Sequence, residues 1–192
     1  FLEVVICNGI ENNALKILKN KKNLRIIDSS KLNIINLNNI SSHFNSFLIQ
    51  TTDTQNICYH AGRTVNNVSV GIEISDAYYL KYQDWYEKNG FGPRPIWKDA
   101  EVHGKILEPF LGFYDVQIEA LAALWEAVSY ACDIPFELPN NAHTYDKNVA
   151  NGSFKGFVNH YNITTKKIDC AGLDNQAVLE KAKQIRKKRL LQ

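Results

Sequence analysis

The sequence predicts an α/β fold, with a mixed central β-sheet flanked by helices, and three observations carry that expectation. The first residues read as strand, helix and strand in succession. Val68, Val70, Ile72 and Ile74 alternate with Ser69, Gly71, Glu73 and Ser75, the period of a strand with one buried face. Ile118, Leu121, Trp125, Val128 and Cys132 recur at spacings of three and four, the period of a helix with one apolar face.

In chain order, Leu2 to Ile6 reads as a strand, Glu11 to Lys19 as a helix and Leu24 to Ile27 as a second strand. The Asn- and Ser-rich stretch from Ser29 to Ser46 reads as a loop or an irregular stretch with short strands. After the strand at Val68 to Ile74, Ala77 to Pro109 is rich in Tyr, Trp, Gly and Pro. It reads as a long surface insertion with one short helix, able to build a sugar- or peptide-binding wall, although packing of aromatics onto the core is the plainer meaning. Asp115 to Cys132 is the clearest helix, with Asp115 placed to cap its start and Asp133-Ile134-Pro135 to end it. Asn140 to Ser153 reads as loop. Gln176 to Gln192 reads as a helix whose late Lys181, Lys183, Arg186, Lys187, Lys188 and Arg189 suit the negative end of the helix dipole and form a solvated face.

Composition excludes little but usefully. At 192 residues the chain can bury a sizeable core, and 45% apolar with 22% charged residues is ordinary for a globular protein. A net charge of +2 implies no commitment to nucleic acid. No run approaches the ~18 apolar residues of a membrane span. The four cysteines, Cys7, Cys58, Cys132 and Cys170, lack CxxC spacing, which argues against a zinc ribbon. The chain starts at Phe1, so an incomplete N-terminus is expected and a missing signal peptide says little.

Two segments carry chemistry. Phe157-Val158-Asn159-His160-Tyr161 delivers a histidine, and Lys166-Lys167-Ile168-Asp169-Cys170-Ala171-Gly172 brings a cation, a carboxylate and a thiol back towards it. Zinc takes such donors, and a cation two residues before a ligand could stabilise an oxyanion. The second segment, Cys58-Tyr59-His60-Ala61-Gly62-Arg63, runs through Asn66-Asn67 into the Val68 to Ile74 strand. There Glu73 points away from the core-facing residues, and Gly71 leaves space beside it for a general base or an orienter of water. Each segment alone also fits a blander reading, a satisfied core histidine and a surface glutamate.

Together, Tyr59 to Arg63 (YHAGR), Asn66 to Ile74 (NNVSVGIEI), the helix start at Gln117 to Leu121 and Phe157 to Gly172 (FVNHYNITTKKIDCAG) resemble the type 2 N-acetylmuramoyl-L-alanine amidases, relatives of the peptidoglycan recognition proteins. The resemblance covers about residues 55–174. It implies an amidase-like fold and zinc-dependent hydrolysis of the amide between the lactyl group of N-acetylmuramic acid and L-alanine. It further implies peptidoglycan or muropeptides as partner, with no nucleic acid and no membrane span, a monomer, and a secreted, periplasmic or phage-encoded setting. Residue by residue, His160 matches a zinc histidine, Glu73 the carboxylate that assists the attacking water, and Lys167 the oxyanion-stabilising cation. Asp169 is the favoured third ligand, with Cys170 as the alternative. His60, Arg63 and Asn67 match substrate-binding positions. The family's first zinc histidine ends an early strand, where this chain has Val4-Val5-Ile6-Cys7. Cys7 can ligate zinc, or the site is incomplete and the domain only binds peptidoglycan.

Residues 1–53 resemble something else. Glu3-Val4-Val5-Ile6, then Ala14 to Asn23 (ALKILKNKKN), Leu24-Arg25-Ile26 and Phe47 to Gln50 are similar to a stretch of the AICAR transformylase part of the bifunctional purine-biosynthesis enzyme. No catalytic motif of that enzyme falls there. The expectation is an N-terminal segment of purine-enzyme kinship over residues 1–53 and an amidase-like domain over residues 54–192, with a junction between unrelated segments near residues 46–56.

Overall fold

The structure, a computed structural model, describes residues 24–28, 46–50, 57–141 and 143–191. The expected strand Leu2 to Ile6, the helix Glu11 to Lys19 and Cys7 lie outside them. Strand β1 (Leu24–Asp28) pairs in parallel with β2 (Ser46–Gln50), Leu24 opposite Ser46. Both strands stand where the sequence puts them.

Helix α3 (Asp115–Ala131) is the centre of the molecule. Leu121, Trp125 and Val128 bury the predicted face, and Ala120, Ala123 and Ala127 bury the opposite one, so the helix is enclosed nearly all round over its middle. The small alanines admit neighbours closely, and Val70, Ile72 and Ile74 pack against that side. Burying Leu124 and Val128 is worth about 1.5–3 kcal/mol each, and truncating Leu124 to Ala would cost about 2–5 kcal/mol. Asp115 is the first residue inside the helix rather than its cap. The N-cap is Tyr114, whose N–H donates to Gln117 Oε1 at 3.0 Å, because a glutamine at the third helical position can reach back to an orphan donor.

Helix α6 (Asn175–Leu190) starts where Asp174 Oδ1 accepts from Ala177 N and packs along α3. Its basic end is only partly a solvated face. Arg186 Nε and Arg189 Nη2 reach Glu126 Oε1 at 3.2 and 2.9 Å, and Glu126 is fully buried on α3. A carboxylate without water demands such partners. Period alone reads the position of Glu126 as polar and says nothing of its burial.

The expected insertion from Ala77 contains a 3₁₀ turn (Leu80–Tyr82) and α2 (Gln83–Lys88), as one short helix predicts, but it also contains strands. Strand β3 (Ile96–Trp97) pairs antiparallel with β6 (Phe110–Leu111), and between them β4 (Glu101–Val102) pairs with β5 (Lys105–Ile106). His103 (φ 54°) and Gly104 (φ 72°) make the turn between β4 and β5, and two left-handed residues in succession match the twist of a hairpin. The Trp97 ring fills the space where a Cβ on Gly112 or on Gly172 would sit, 2.6 Å from a Gly172 Cβ, and meets Phe110 and Phe113 edge-on. Arg94 is buried beside this ribbon. It donates from Nε to Gly112 O (2.9 Å) and from Nη2 to Gln117 Oε1 (2.8 Å), and its guanidinium lies against both the Tyr86 and the Tyr114 rings.

The chain therefore has both helices and strands, but among the described residues the strands form three separate pairs rather than one central sheet. Val68 to Ile74 is not a strand in the structure. Val70, Ile72 and Ile74 turn to the core and Glu73 is exposed as the alternation predicts, but Val68 is exposed rather than buried, and a strand also needs a hydrogen-bonded neighbour. No described helix is long and apolar enough to cross a membrane.

Candidate active-site cleft

A turn, a glycine and a short helix shape the site. Asn66 ends α1 (Arg63–Asn66) and is buried, and its Oδ1 accepts from the backbone N–H of His60 (3.1 Å), Ala61 (2.7 Å) and Gly62 (3.0 Å). One amide side chain thus gathers three otherwise unpaired donors and fixes a turn in which Gly62 takes φ 108°, a value few other residues tolerate. The turn presents the His60 carbonyl outward, where it accepts from His160 Nε2 at 2.7 Å, across 100 residues of sequence.

His160 opens α5 (His160–Ile163), which is a single turn. Asn159 N donates to Asn162 Oδ1 (2.9 Å), and buried Asn162 donates to the carbonyls of Asn141 and Thr144. Buried Tyr161 accepts at its hydroxyl from Asn159 and Asn175. These bonds anchor the turn on both sides of the histidine. A carbonyl only accepts, so His160 carries a proton on Nε2, and its Nδ1 faces Asp169 Oδ2 in direct contact. A proton shared by the two atoms makes this contact a hydrogen bond. With a proton there, the hydrogen bond to Asp169 raises the His160 pKa, and the same bond lowers that of Asp169. The Lys167 charge acts on both.

His60 sits beneath. A Cβ on Gly71 would stand 2.6 Å from His60 Cγ, so the space predicted beside Glu73 is occupied by the His60 ring. That ring contacts Cys58 O from Nδ1 (2.9 Å) and Ser69 Oγ from Nε2 (2.8 Å). Burial, more than the nearby His160 charge, lowers its pKa against the opposing pull of the Cys58 carbonyl, which favours the neutral ring. Burial pushes the Cys170 thiol up to about 12, helped by the charges of Asp169, Glu73 and Asp76.

His60, Glu73, His160, Lys167, Asp169 and Cys170 all line one cavity of about 1270 Å³, bounded by Trp97 and Trp125 among others. Asn67, the residue that follows α1, is exposed and is not among its lining residues. Arg63 begins α1, and Cys7 lies outside the described residues. Sequence reasoning missed Asn66, Ser69 and His103. His103 Nε2 donates to Lys167 O at 2.9 Å, holding the loop that carries Lys167 and Asp169. No sequence signal links residues so far apart, although the His103-Gly104 pair between two short alternating runs could have flagged the turn.

On donor chemistry, an imidazole nitrogen with its other N–H on a carbonyl and a carboxylate beside it fit two positions of a zinc site. Among the described residues, no group of three or more His, Cys, Asp and Glu side chains is placed to hold a metal.

A family model for the AICARFT/IMPCHase bienzyme matches residues 1–74. The N-terminal resemblance to the purine-biosynthesis enzyme is therefore real, and it runs past residue 53 to take in β1, β2 and the segment up to Ile74. Neither the curated proteins nor the solved structures give a match.

Proposed function

We propose that the cleft hydrolyses the N-acetylmuramoyl-L-alanine amide of peptidoglycan. The observation that carries this reading is the meeting of His160 Nδ1 and Asp169 Oδ2 in a cavity also lined by Glu73 and Lys167. Glu73 comes from a segment far in sequence from His160, Lys167 and Asp169, which share one short stretch, and the resemblance assigned all four to one reaction. His160 and Asp169 would hold zinc, with Cys170 as the alternative to Asp169 and Cys7 as a candidate further ligand. Zinc, when bound, supplies a Lewis acid.

The chain's own groups account for the remaining steps. Glu73 accepts a proton as water adds to the lactyl carbonyl carbon. The Lys167 ammonium stabilises the negative charge that develops on the carbonyl oxygen, an effect strengthened in a partly dry cleft. As the C–N bond breaks, Glu73 returns the proton to the departing alanine nitrogen, leaving a free carboxyl and a free amine. The His60 carbonyl keeps His160 in one tautomer throughout.

A second reading, a peptidoglycan-binding module without turnover, has its own support in the sequence, where Cys7 stands in place of the family's first zinc histidine. One experiment separates the two. Purified chain is analysed for zinc and assayed for amine release from muramoyl-L-alanyl peptides, beside His160→Ala. Stoichiometric zinc and amine release, both lost in the variant, support the enzyme. Binding to peptidoglycan without amine release at saturating zinc sinks it.

A further inference from the structure

Beside the cleft, one short stretch presents three exposed rings: Tyr79 (62%), Tyr82 (41%) and Trp85 (53%). Single exposed aromatics are ordinary, but three within seven residues, two of them around one cation, call for a cause. Lys81 Nζ lies 5.5 Å from the Tyr79 ring centre and 5.1 Å from that of Tyr82, so both rings and the ammonium share a patch. Neither the 3₁₀ turn nor α2 buries a single residue, so these aromatics do little for the core. Trp85 is nonetheless held in place. It stacks on Phe91 at 5.8 Å and meets Tyr86 edge-on at 5.3 Å, and Tyr86 rests on buried Arg94. Tyr79 joins the patch to the cleft, because it lines the same cavity as Glu73, His160 and Asp169.

We propose that Tyr79, Tyr82 and Trp85 form a carbohydrate platform, on which the glycan strand lies while a peptide-bearing amide enters the cleft. The choice of glycan rests on the peptidoglycan reading above. A pyranose has an apolar C–H face and a polar rim. Tyrosine and tryptophan answer with an apolar face and a polar tip, and Lys81 supplies donors for hydroxyl and acetamide oxygens. Rings already held in place lose little freedom on binding. A protein partner fits less well, since three rings and a lysine fall far short of the ~800 Å² per side of a standard interface.

The test is calorimetric titration of the full chain with the β-1,4-linked tetramer of N-acetylglucosamine, which carries no peptide and no lactyl amide. Replacing Tyr82 and Trp85 together by Ala should weaken binding roughly 10-fold or more, and replacing both by Phe should change it by less than about threefold. No binding by the unaltered chain, or equal binding by the alanine variant, overturns the platform. So does a patch-dependent self-association with no glycan binding, which would make a second copy the occupant. Amine release is scored separately. Glycan binding without amine release keeps the platform and removes the amidase. Amine release with an unchanged KM for polymeric peptidoglycan in the alanine variant does the reverse.

Discussion

Replacing Arg94 by Ala tests whether the aromatic segment and the cleft hang from one buried ion. Arg94 is 2% exposed, and its Nε lies 3.4 Å from Asp76 Oδ1, whose side chain is 14% exposed. Truncation leaves the Asp76 carboxylate with only its backbone hydrogen bonds, removes the donor to Gly112 O, and leaves Tyr86 and Tyr114 facing a void. Breaking a buried pair from one side costs about 3–5 kcal/mol, a large part of the ~5–15 kcal/mol that holds a domain together. Urea denaturation at neutral pH should show that loss as a lower midpoint with an unchanged slope. The pH dependence gives a sharper check. Burial already raises the Asp76 pKa against the pull of its backbone hydrogen bonds and of Arg94. An acid with a raised folded pKa favours the fold when protonated, and that advantage is lost as pH rises through the folded pKa. Without Arg94 the rise is larger, so the variant should recover part of its stability as pH falls toward the carboxylate range, and Asp76→Asn in the Arg94→Ala background should recover part of it at neutral pH. A loss under about 1 kcal/mol at neutral pH, or a loss that does not change with pH, would refute the reasoning.

Glu73→Ala should cut amine release by roughly 10²–10⁴-fold while its exposed position leaves the thermal midpoint unchanged; full turnover returns Glu73 to a plain surface role. In zinc-free protein the His160–Asp169 pair should favour the fold above the lowered Asp169 pKa and below the raised His160 pKa, fading at either side. Asp169→Asn should move the His160 titration, followed by NMR, back down toward 6.5, its ordinary value; an unmoved titration breaks the pairing. Gly71→Ala should displace the His60 ring and cost about 1–3 kcal/mol by overpacking, and a His60 ring resonance unchanged from the parent would show that the close approach is absent.

Helix α3 was legible because its period is written in every turn, β1 because a short apolar run bounded by polar residues leaves few alternatives, and β2 through the resemblance of Phe47 to Gln50 to a strand of the purine-biosynthesis enzyme. The face of Val70 to Ile74 was legible from its period too, but its status as a strand was not, since a ladder depends on a neighbour that the segment's own pattern does not name. The convergence of His160 and Asp169 could be inferred from the short loop between them. The parts that set the site's shape could not. Asn66 beneath three N–H groups, the His60 carbonyl on His160 and His103 on Lys167 are contacts over space, and each residue looks like ordinary polar surface in one dimension. The buried roles of Arg94 and Glu126 were hidden likewise, because charge in a sequence reads as exposure until its partner is seen.

Trp97 has a bearing on inheritance. Its indole interlocks with two glycines that have no other reason to vary together, Gly112 after β6 and Gly172 three residues beyond Asp169. A side chain at either glycine demands a smaller residue at 97, and a smaller residue at 97 makes room at Gly112, whereas Gly172 is also held by its φ of 75° and by Phe110. Mutational drift at these three sites should therefore be coupled, and a compensated change on the ribbon would reposition the loop bearing Asp169 without altering any residue of the cleft's chemistry.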